Sequence, residues 1–328
     1  MDKKMLSILR CPKCHANRFQ MNVQEQVQNE VIKGTLICLN CPTKYEIMDG
    51  IPILLSILSE TYNKGKKEGN SVKCGQIKYF DEECDEKFET NRPHDTGRLY
   101  EYLIDYKFRK AVESLPVSIE NCTLLDVCCG SGMATEYYAK KGARVIGTDI
   151  SFAAVRRAKK RGEKYNFKSE YVVADAENLP FQNDSFDFAC VHDGFHHLEK
   201  PQSGVRELSR LAEKGIFLME PAKAFLTKIS TYLGVSTDYE DAGNFVYRFN
   251  KKELKKWAES LGYKRIMAVR YLMYYPHFPP KWFKLFGNKI LFNIFLPLYN
   301  FVNVFCGFLG NKMLFVAWDK NKKRRETR

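Results

Sequence analysis

The spacing of apolar positions changes repeatedly along this chain, and each change marks an element. "TLLDVCC" (residues 123–129) is a continuous apolar run that predicts a buried strand, "GSG" a tight turn, and "MATEYYAKKG" a helix closed by Gly142. A second strand, "ARVIGTD", ends on Asp149, and Ser151 is placed to cap the helix "FAAVRRAKKRG". Upstream, "YEYLIDYKFRKAVESLP" has helical spacing. Downstream, "YVVADAENLPF" and "SFDFACVHDGFHHLEKP" each open on a strand, and "ELSRLAEKGIFLMEP" joins a helix to a fifth strand. "NKKELKKWAESLGY" predicts a helix with Asn250 as N-cap, Glu253 as its capping-box partner and Gly262 at its end. Strands six and seven follow in "KRIMAVRYL" and "KMLFVAWDK", the seventh antiparallel. Strands and helices in alternation predict the α/β class, with a doubly wound seven-stranded sheet.

Two regions do not follow that alternation. In the first sixty residues the strand-like "GTLICLNC" lies between two cysteine pairs, Cys11-Pro-Lys-Cys14 and Cys38-Leu-Asn-Cys41. Each C-x2-C turn aims two thiolates at one point, so Cys11, Cys14, Cys38 and Cys41 are the expected ligands of a structural Zn2+. A unit this small buries little core, and a metal compensates. The polar, lysine-rich run that follows reads as a linker. The expected domains are therefore a zinc ribbon at 1–58, a linker at 59–78 and an α/β domain at 79–328.

The second region is an insertion at about 274–310, between strands six and seven. Its centre, Ile290 to Leu309, has no charged residue and is long enough to span a bilayer. A spanning helix would put strands six and seven on opposite sides of the membrane. The open readings are an amphipathic lid, a helix lying in a membrane surface through 281–309, or a cap buried against the protein.

Composition narrows the partners. The 328 residues carry a formal net charge of +13, which favours anionic partners: nucleic acid, acidic lipid or a phosphorylated substrate. The terminal "KNKKRRETR" suits anionic lipid and RNA equally. The opening "MDKKMLSILRCPKC" has only a brief apolar run, so no secretory signal is expected. Eleven cysteines then imply reduced thiols and metal ligands. The expected location is cytoplasmic, contact at a membrane surface through 281–309 is one of the open readings, and no obligate protein partner is implied.

The Gly-rich turn decides the cofactor class. Gly130 and Gly132 match the first two glycines of a dinucleotide fingerprint, but Thr135 stands where the third belongs. The helix behind the turn opens with Glu136 in its first turn, which suits a ligand without phosphate. Cys128 and Cys129 are adjacent, whereas redox pairs and zinc knuckles need two residues between cysteines, so they are expected as bystanders beside the cofactor.

Two resemblances sharpen this. With its four cysteines and "YEIMDGIPILL", the segment from Leu6 to Leu55 resembles the small zinc-ribbon proteins that activate tRNA, rRNA and protein methyltransferases. It also resembles the zinc-finger head of the bacterial large-subunit rRNA guanine methyltransferases. "LLDVCCGSG", with the four segments after it in order up to Pro221, resembles the class I methyltransferases, in the group with the quinone C-methylases and small-molecule O- and N-methylases. That resemblance implies S-adenosyl-L-methionine as cofactor. It places Asp126, Cys128, Gly130, Gly132, Asp149, Ile150, Asp175, Ala176 and His192 at it: the Asp175 carboxylate on the adenine amino group, the Ala176 backbone against the ring, the His192 carbonyl on the methionine amino group. Cys128 stands where the family usually has glycine, and a β-region backbone is expected there.

Methyl transfer is mainly a positioning problem, with a base needed only if the acceptor must lose a proton. By resemblance to plant O-methyltransferases, His196 is the candidate base. "HDGF" lacks the Asn/Asp-Pro-Pro-aromatic turn of adenine N6 methylases, which removes that class. Glu220 is expected either to face the acceptor or to pair with a nearby cation. The leading reading is methylation of a small-molecule, glycan or lipid-type acceptor. The alternative is an RNA methyltransferase that uses its ribbon and tail on nucleic acid.

Overall fold

The computed structural model describes residues 1–56, 72–232, 237–240 and 243–320. The first part of the expected linker and the basic tail lie outside the described residues. In chain order the elements are β1 (Phe19–Val27), β2 (Glu30–Cys38), β3 (Lys44–Met48), β4 (Ile51–Leu54), α1 (Val72–Lys78), α2 (Glu86–Asn91), α3 (Arg98–Glu113), β5 (Thr123–Val127), α4 (Met133–Lys140) and β6 (Arg144–Asp149). They continue as α5 (Phe152–Tyr165), β7 (Glu170–Ala174), β8 (Phe186–His192), α6 (Pro201–Leu211), β9 (Ala212–Pro221), α7 (Phe225–Tyr232), α8 (Lys251–Ser260), β10 (Tyr263–Tyr271), α9 (Lys289–Cys306) and β11 (Lys312–Lys320).

The expected seven strands are present in the order β7-β6-β5-β8-β9-β11-β10, with β11 antiparallel to both neighbours. Four more strands extend the sheet to eleven. The ribbon's β4 pairs in parallel with β7, Ile53 beside Val173 and Leu54 beside Ala174. Met5, Leu9, Leu36 and Tyr45 from the ribbon share one apolar cluster with Val172, Ala174 and Phe181 of the α/β domain. The ribbon therefore covers the edge that β7 would otherwise expose.

Helix ends follow the sequence with one exception. Ser151 Oγ accepts from Ala154 N at 3.0 Å, and Asn250 Oδ1 accepts from Lys252 N at 2.9 Å. Glu253 does not close a capping box, because its carboxylate accepts instead from the Tyr247 hydroxyl at 2.5 Å.

The linker reading is corrected from residue 72 onward. Val72–Lys78 is helix, and the segment 72–97 lies as a strap across the carboxyl ends of the central strands. Asp81 Oδ1 accepts from Ala153 N at 3.1 Å, and Arg157 donates to the Phe80 carbonyl at 2.8 Å. Arg161, on α5 and fully buried, donates to the Ser131, Glu89 and Arg92 carbonyls at 2.6, 2.7 and 2.6 Å and to the Glu136 carboxylate at 3.1 Å.

The insertion forms α9, which packs on α3: Tyr102 and Tyr106 meet Tyr299 edge-on, at 6.1 and 5.5 Å. Asn303 is buried, accepting from Leu272 N at 2.8 Å. The opposite face, with Ile290, Ile294, Leu298, Phe301, Val304, Phe305 and Phe308, is exposed, reaching 77 % at Val304. A buried cap is thus excluded, and no residue of α9 lines the central cavity, so it is not a lid over it.

Replacing Arg161 leaves three carbonyls and a carboxylate without their donor in a dry site. Arg161→Met is expected to lower the unfolding free energy by about 3–5 kcal/mol, and Arg161→Lys to recover little of it, because an ammonium lacks the planar fork. Urea titration of the three proteins measures this; a loss under about 1 kcal/mol would mean that other contacts hold the strap.

Candidate functional site

A cavity of about 600 Å³ opens at the carboxyl ends of the central strands, where a doubly wound sheet places its ligands. Its first wall is the turn after β5. Cys129 N donates to the Thr148 carbonyl and Gly130 N to Asp149 Oδ2, both at 2.9 Å. To make this turn, Cys128 adopts φ +55°, not the β-region backbone expected for it. Its side chain fills space that Gly194 leaves: a Cβ at 194 would come within 2.3 Å of Cys128 Cβ. Gly130, at φ +52°, has nothing within 4 Å of where its Cβ would stand, so bare backbone faces the cleft.

Cys128, Gly130, Asp149, Ile150, Asp175, Ala176 and His192 all line this cavity, as expected. Asp126 and Gly132 do not. Asp126 lies beneath the turn, accepting from Thr135 Oγ1 at 2.6 Å, and burial pushes its carboxyl up to about 7. Gly132 begins α4 at φ +82°, with Ala158 Cβ only 2.9 Å from any added Cβ. Both shape the turn from behind.

Asp149 also accepts from Ser151 N at 3.1 Å, and burial raises its pKa. Asp175 Oδ1 accepts from Glu177 N at 2.9 Å, while Oδ2 takes Lys73 of the strap at 2.7 Å. Lys73 also reaches Glu177 at 2.9 Å, and no periodic signal marked it. His192 is buried against the Tyr138 hydroxyl, and burial pushes its pKa down to about 3, so the ring is neutral.

His196, the candidate base, lines the same cavity with each ring nitrogen facing a carboxylate. Its Nδ1 meets Glu220 Oε2 at 2.8 Å, and its Nε2 lies 3.4 Å from Glu240 Oε1. Burial opposes the charged ring, yet the two carboxylates hold its pKa up, to about 9. Glu220 is fully buried and accepts from Gly194 N and Phe195 N at 2.9 and 2.8 Å, so it holds the loop and does not face an acceptor.

The far end of the cavity is aromatic and cationic, with Tyr100, Ile104, Tyr275 and Phe278 beside Lys107 and Lys312. Asp193 accepts from Lys107 at 3.0 Å, from the Tyr275 hydroxyl at 2.6 Å and from Lys312. Despite burial, the two lysines keep its carboxylate well below the usual range. Both ammonium groups also sit over the Tyr275 ring, at 4.8 and 4.9 Å. The chain separation of Lys107 and Lys312 from this loop hid them from sequence reasoning.

In the ribbon, Cys11, Cys14, Cys38 and Cys41 converge, with Sγ–Sγ distances of 3.7 Å (Cys11–Cys41) and 3.5 Å (Cys14–Cys38). Four thiolates at 2.3 Å from one tetrahedral ion stand about 3.8 Å apart, so this donor set can hold Zn2+.

Comparison with known proteins agrees with both halves. Residues 125–219 match a family described as methyltransferase domain, and residues 2–50 match one described as Trm112p-like protein. The ubiquinone biosynthesis O-methyltransferase of Coxiella burnetii (strain Dugway 5J108-111) is 26% identical over 166 residues, covering 49% of this chain and 70% of that protein. A demethylmenaquinone methyltransferase of Clavibacter sepedonicus is 30% identical over 148 residues, 44% of this chain and 57% of its own length. The magnesium protoporphyrin IX methyltransferase of Synechocystis PCC 6803, solved with bound SAH, shares the fold. Its TM-score is 0.52 at 16% identity, over 74% of this chain and 98% of that one.

The left-handed Cys128 yields a direct test. A non-glycine residue at positive φ costs on the order of 1 kcal/mol, more if β-branched. Cys128→Gly is expected to unfold at or above the parent temperature and Cys128→Val several degrees below it, by differential scanning calorimetry. The reverse order would contradict the turn geometry.

Proposed function

We propose that this chain, a class I S-adenosylmethionine-dependent methyltransferase with a Trm112p-like N-terminal domain, methylates a small aromatic acceptor of lipid type, and does so at a membrane surface. The observation that supports the reading is one cavity lined both by the turn after β5 with Asp149 and the Lys73-paired Asp175 and by an aromatic group with Lys107 and Lys312, with His192–His197 also in its wall.

Beside the turn after β5, the Asp149 carboxylate would take the ribose hydroxyls, and Asp175 with the Ala176 backbone the adenine. Cys128, Gly130 and the His192 carbonyl are placed for the amino acid end. The bound cofactor supplies an activated methyl group on a sulfonium. At the other end, Lys107 and Lys312 together outnumber Asp193 in charge, which favours an acceptor bearing a phenolate or carboxylate. Tyr100, Tyr275 and Phe278 would hold its ring. These residues would orient and desolvate the acceptor, with the Glu220-paired His196 beside them.

Membrane contact follows from α9, whose exposed apolar face continues through Trp282 and Leu285 and is flanked by Lys281, Lys284 and Lys289. This has the chain working in the cytoplasm, docked by that face. The four cysteines would hold a closed, structural Zn2+. The ribbon steadies the loop after Asp175: Arg10 N donates to the Pro180 carbonyl at 3.0 Å, Gln182 N to the Ile8 carbonyl and Asn178 Nδ2 to the Pro12 carbonyl, both at 2.8 Å.

The Trm112p-like match favours a second reading, RNA methylation, and one experiment separates the two. Tritiated methyl transfer is measured with total lipid extract presented as anionic vesicles and, separately, with total RNA. Label in the lipid fraction, with the protein floating with the vesicles, is the expected result. Label in RNA, or protein that stays in the aqueous layer, would overturn the small-acceptor or the membrane part respectively.

Zinc removal generates a further expectation. Stripping the ribbon with a chelator should lower the melting temperature and weaken cofactor binding at least several-fold by calorimetry, and added Zn2+ should restore both. Unchanged cofactor affinity after verified metal loss would uncouple the ribbon from the loop.

A further inference from the structure

We propose that His196, His197 and Glu240 form a second metal site, for a divalent transition-metal ion of the Zn2+ kind, at the junction of the two ends of the cavity. Whether the ion binds is independent of the functional reading above; what it does there rests on that reading.

Three donor atoms converge. The nitrogens of His196 and His197 and a Glu240 carboxylate oxygen all lie within 4.8 Å of one another. His196 Nε2 is 3.4 Å from Glu240 Oε1, and His197 Nδ1 is 3.0 Å from Glu240 Oε2. Nitrogen and oxygen donors bound at about 2.0–2.2 Å to one four-coordinate ion stand about 3.0–3.5 Å apart, so these spacings are those of ligands sharing a cation. His197 Nδ1 is a buried atom that makes no hydrogen bond even at that distance. The short helical turn Phe195–His197 sets the two rings 4.1 Å apart, which lets consecutive residues offer different nitrogens to one point.

The surroundings have the form of an outer ligand shell. Glu220 is fully buried and accepts from His196 Nδ1 at 2.8 Å, so Nε2 is the nitrogen turned to Glu240, where an ion would take the place of its proton. A carboxylate behind a ligating imidazole fixes its tautomer and orientation. Asn244 Nδ2 donates to Glu240 Oε2 at 3.3 Å, and the Gln76 side chain fixes the His197 carbonyl at 2.7 Å. All three candidate ligands line the cavity.

Three protein donors leave a coordination position open to the cavity, as in catalytic zinc sites, whereas the ribbon's four thiolates close theirs. An acceptor hydroxyl on that position would lose its proton to water, because the cation stabilises the oxyanion. The oxygen lone pair then forms the O–CH3 bond while the S–CH3 bond breaks. Its electron pair stays on sulfur, so a phenol-type acceptor and a sulfonium become an ether, a thioether and one released proton. This supplies the activation that His196 alone does not.

The test is metal content of the whole chain, loaded with Zn2+ and dialysed, together with visible spectra after Co2+ substitution. Two equivalents are expected. His197→Ala and Glu240→Gln should each reduce them to one and remove the weak bands of a nitrogen–oxygen site while keeping the intense thiolate bands. Glu220→Gln should keep the second equivalent but weaken it about 10–100-fold. Circular dichroism melts confirm that each variant is folded. One equivalent in the parent protein, or a second that survives His197→Ala and Glu240→Gln, would overturn the site. Neither readout needs an acceptor, so a failure here is distinct from failure of the methyl-transfer assay.

Discussion

The buried guanidinium of Arg161 is the contact on which the working end of this protein depends. A charge with no solvent access is tolerated only when its hydrogen bonds are met, and here four are, three of them by carbonyls on two separate segments. The Ser131 carbonyl belongs to the turn after β5, and the Glu89 and Arg92 carbonyls to the strap. One side chain on α5 thus fixes the turn against the strap. Glu89 adds a second tie, accepting from Ser131 Oγ at 2.8 Å. These ties act with those of Asp81 to Ala153 and of Arg157 to the Phe80 carbonyl, which hold the part of the strap that carries Lys73 to Asp175 and Gln76 to His197.

The ribbon makes a comparable join at the other side of the turn. A parallel sheet that stopped at β7 would leave an open edge beside the adenine-side loop. β4 supplies the missing strand, and the ribbon's own β1–β3 carry the sheet outward until its edge is polar: β1 shows Gln20, Asn22, Glu25 and Gln26. The shared apolar cluster explains why so small a unit holds its shape against the larger domain as well as around its cysteines. The Trm112p-like ribbon, built into the same sheet, touches the α/β domain at the residues after Asp175.

How much of this the sequence disclosed follows the range of the interactions. The strand–turn–helix from Leu124, the Ser151 and Asn250 caps and the four-cysteine cluster depend on residues a few positions apart, or on paired short motifs, and periodicity or spacing reveals them. Cys128 was misjudged because its backbone answers to Gly194, across the sheet on β8's loop. Asp126 looked like a ligand contact because it lies in the motif; only the pleat shows that its side chain points under the turn. That Glu240 faces His196 is likewise beyond local reading, because the two lie far apart along the chain. The strap was read as linker because its polar residues face the carboxylates and backbone of another domain, a pairing that local composition cannot express. In each case the missing information was a partner distant in sequence.

The charge layout of the cavity bears on why such a site suits methyl transfer. A sulfonium donor is a cation, and the part of the cavity proposed for its cofactor carries Asp149 and Asp175, the latter paired with Lys73, with Arg157 also in the lining. An ionised acceptor is an anion, and its end carries Lys107 and Lys312 against a single Asp193. Moving a methyl group from one to the other cancels both charges, so the transition state is less polar than the bound reactants. Water would stabilise the separated ions more than the dispersing charge, and a cleft roofed by the strap keeps water away from both. The sulfonium is a cation at every pH; only the acceptor's ionisation can respond to the ammonium groups beside it. The strap that Arg161 secures contributes Lys73, Gln76, Tyr79 and Phe80 to the cavity wall, so its position bears on the space in which the two reactants meet.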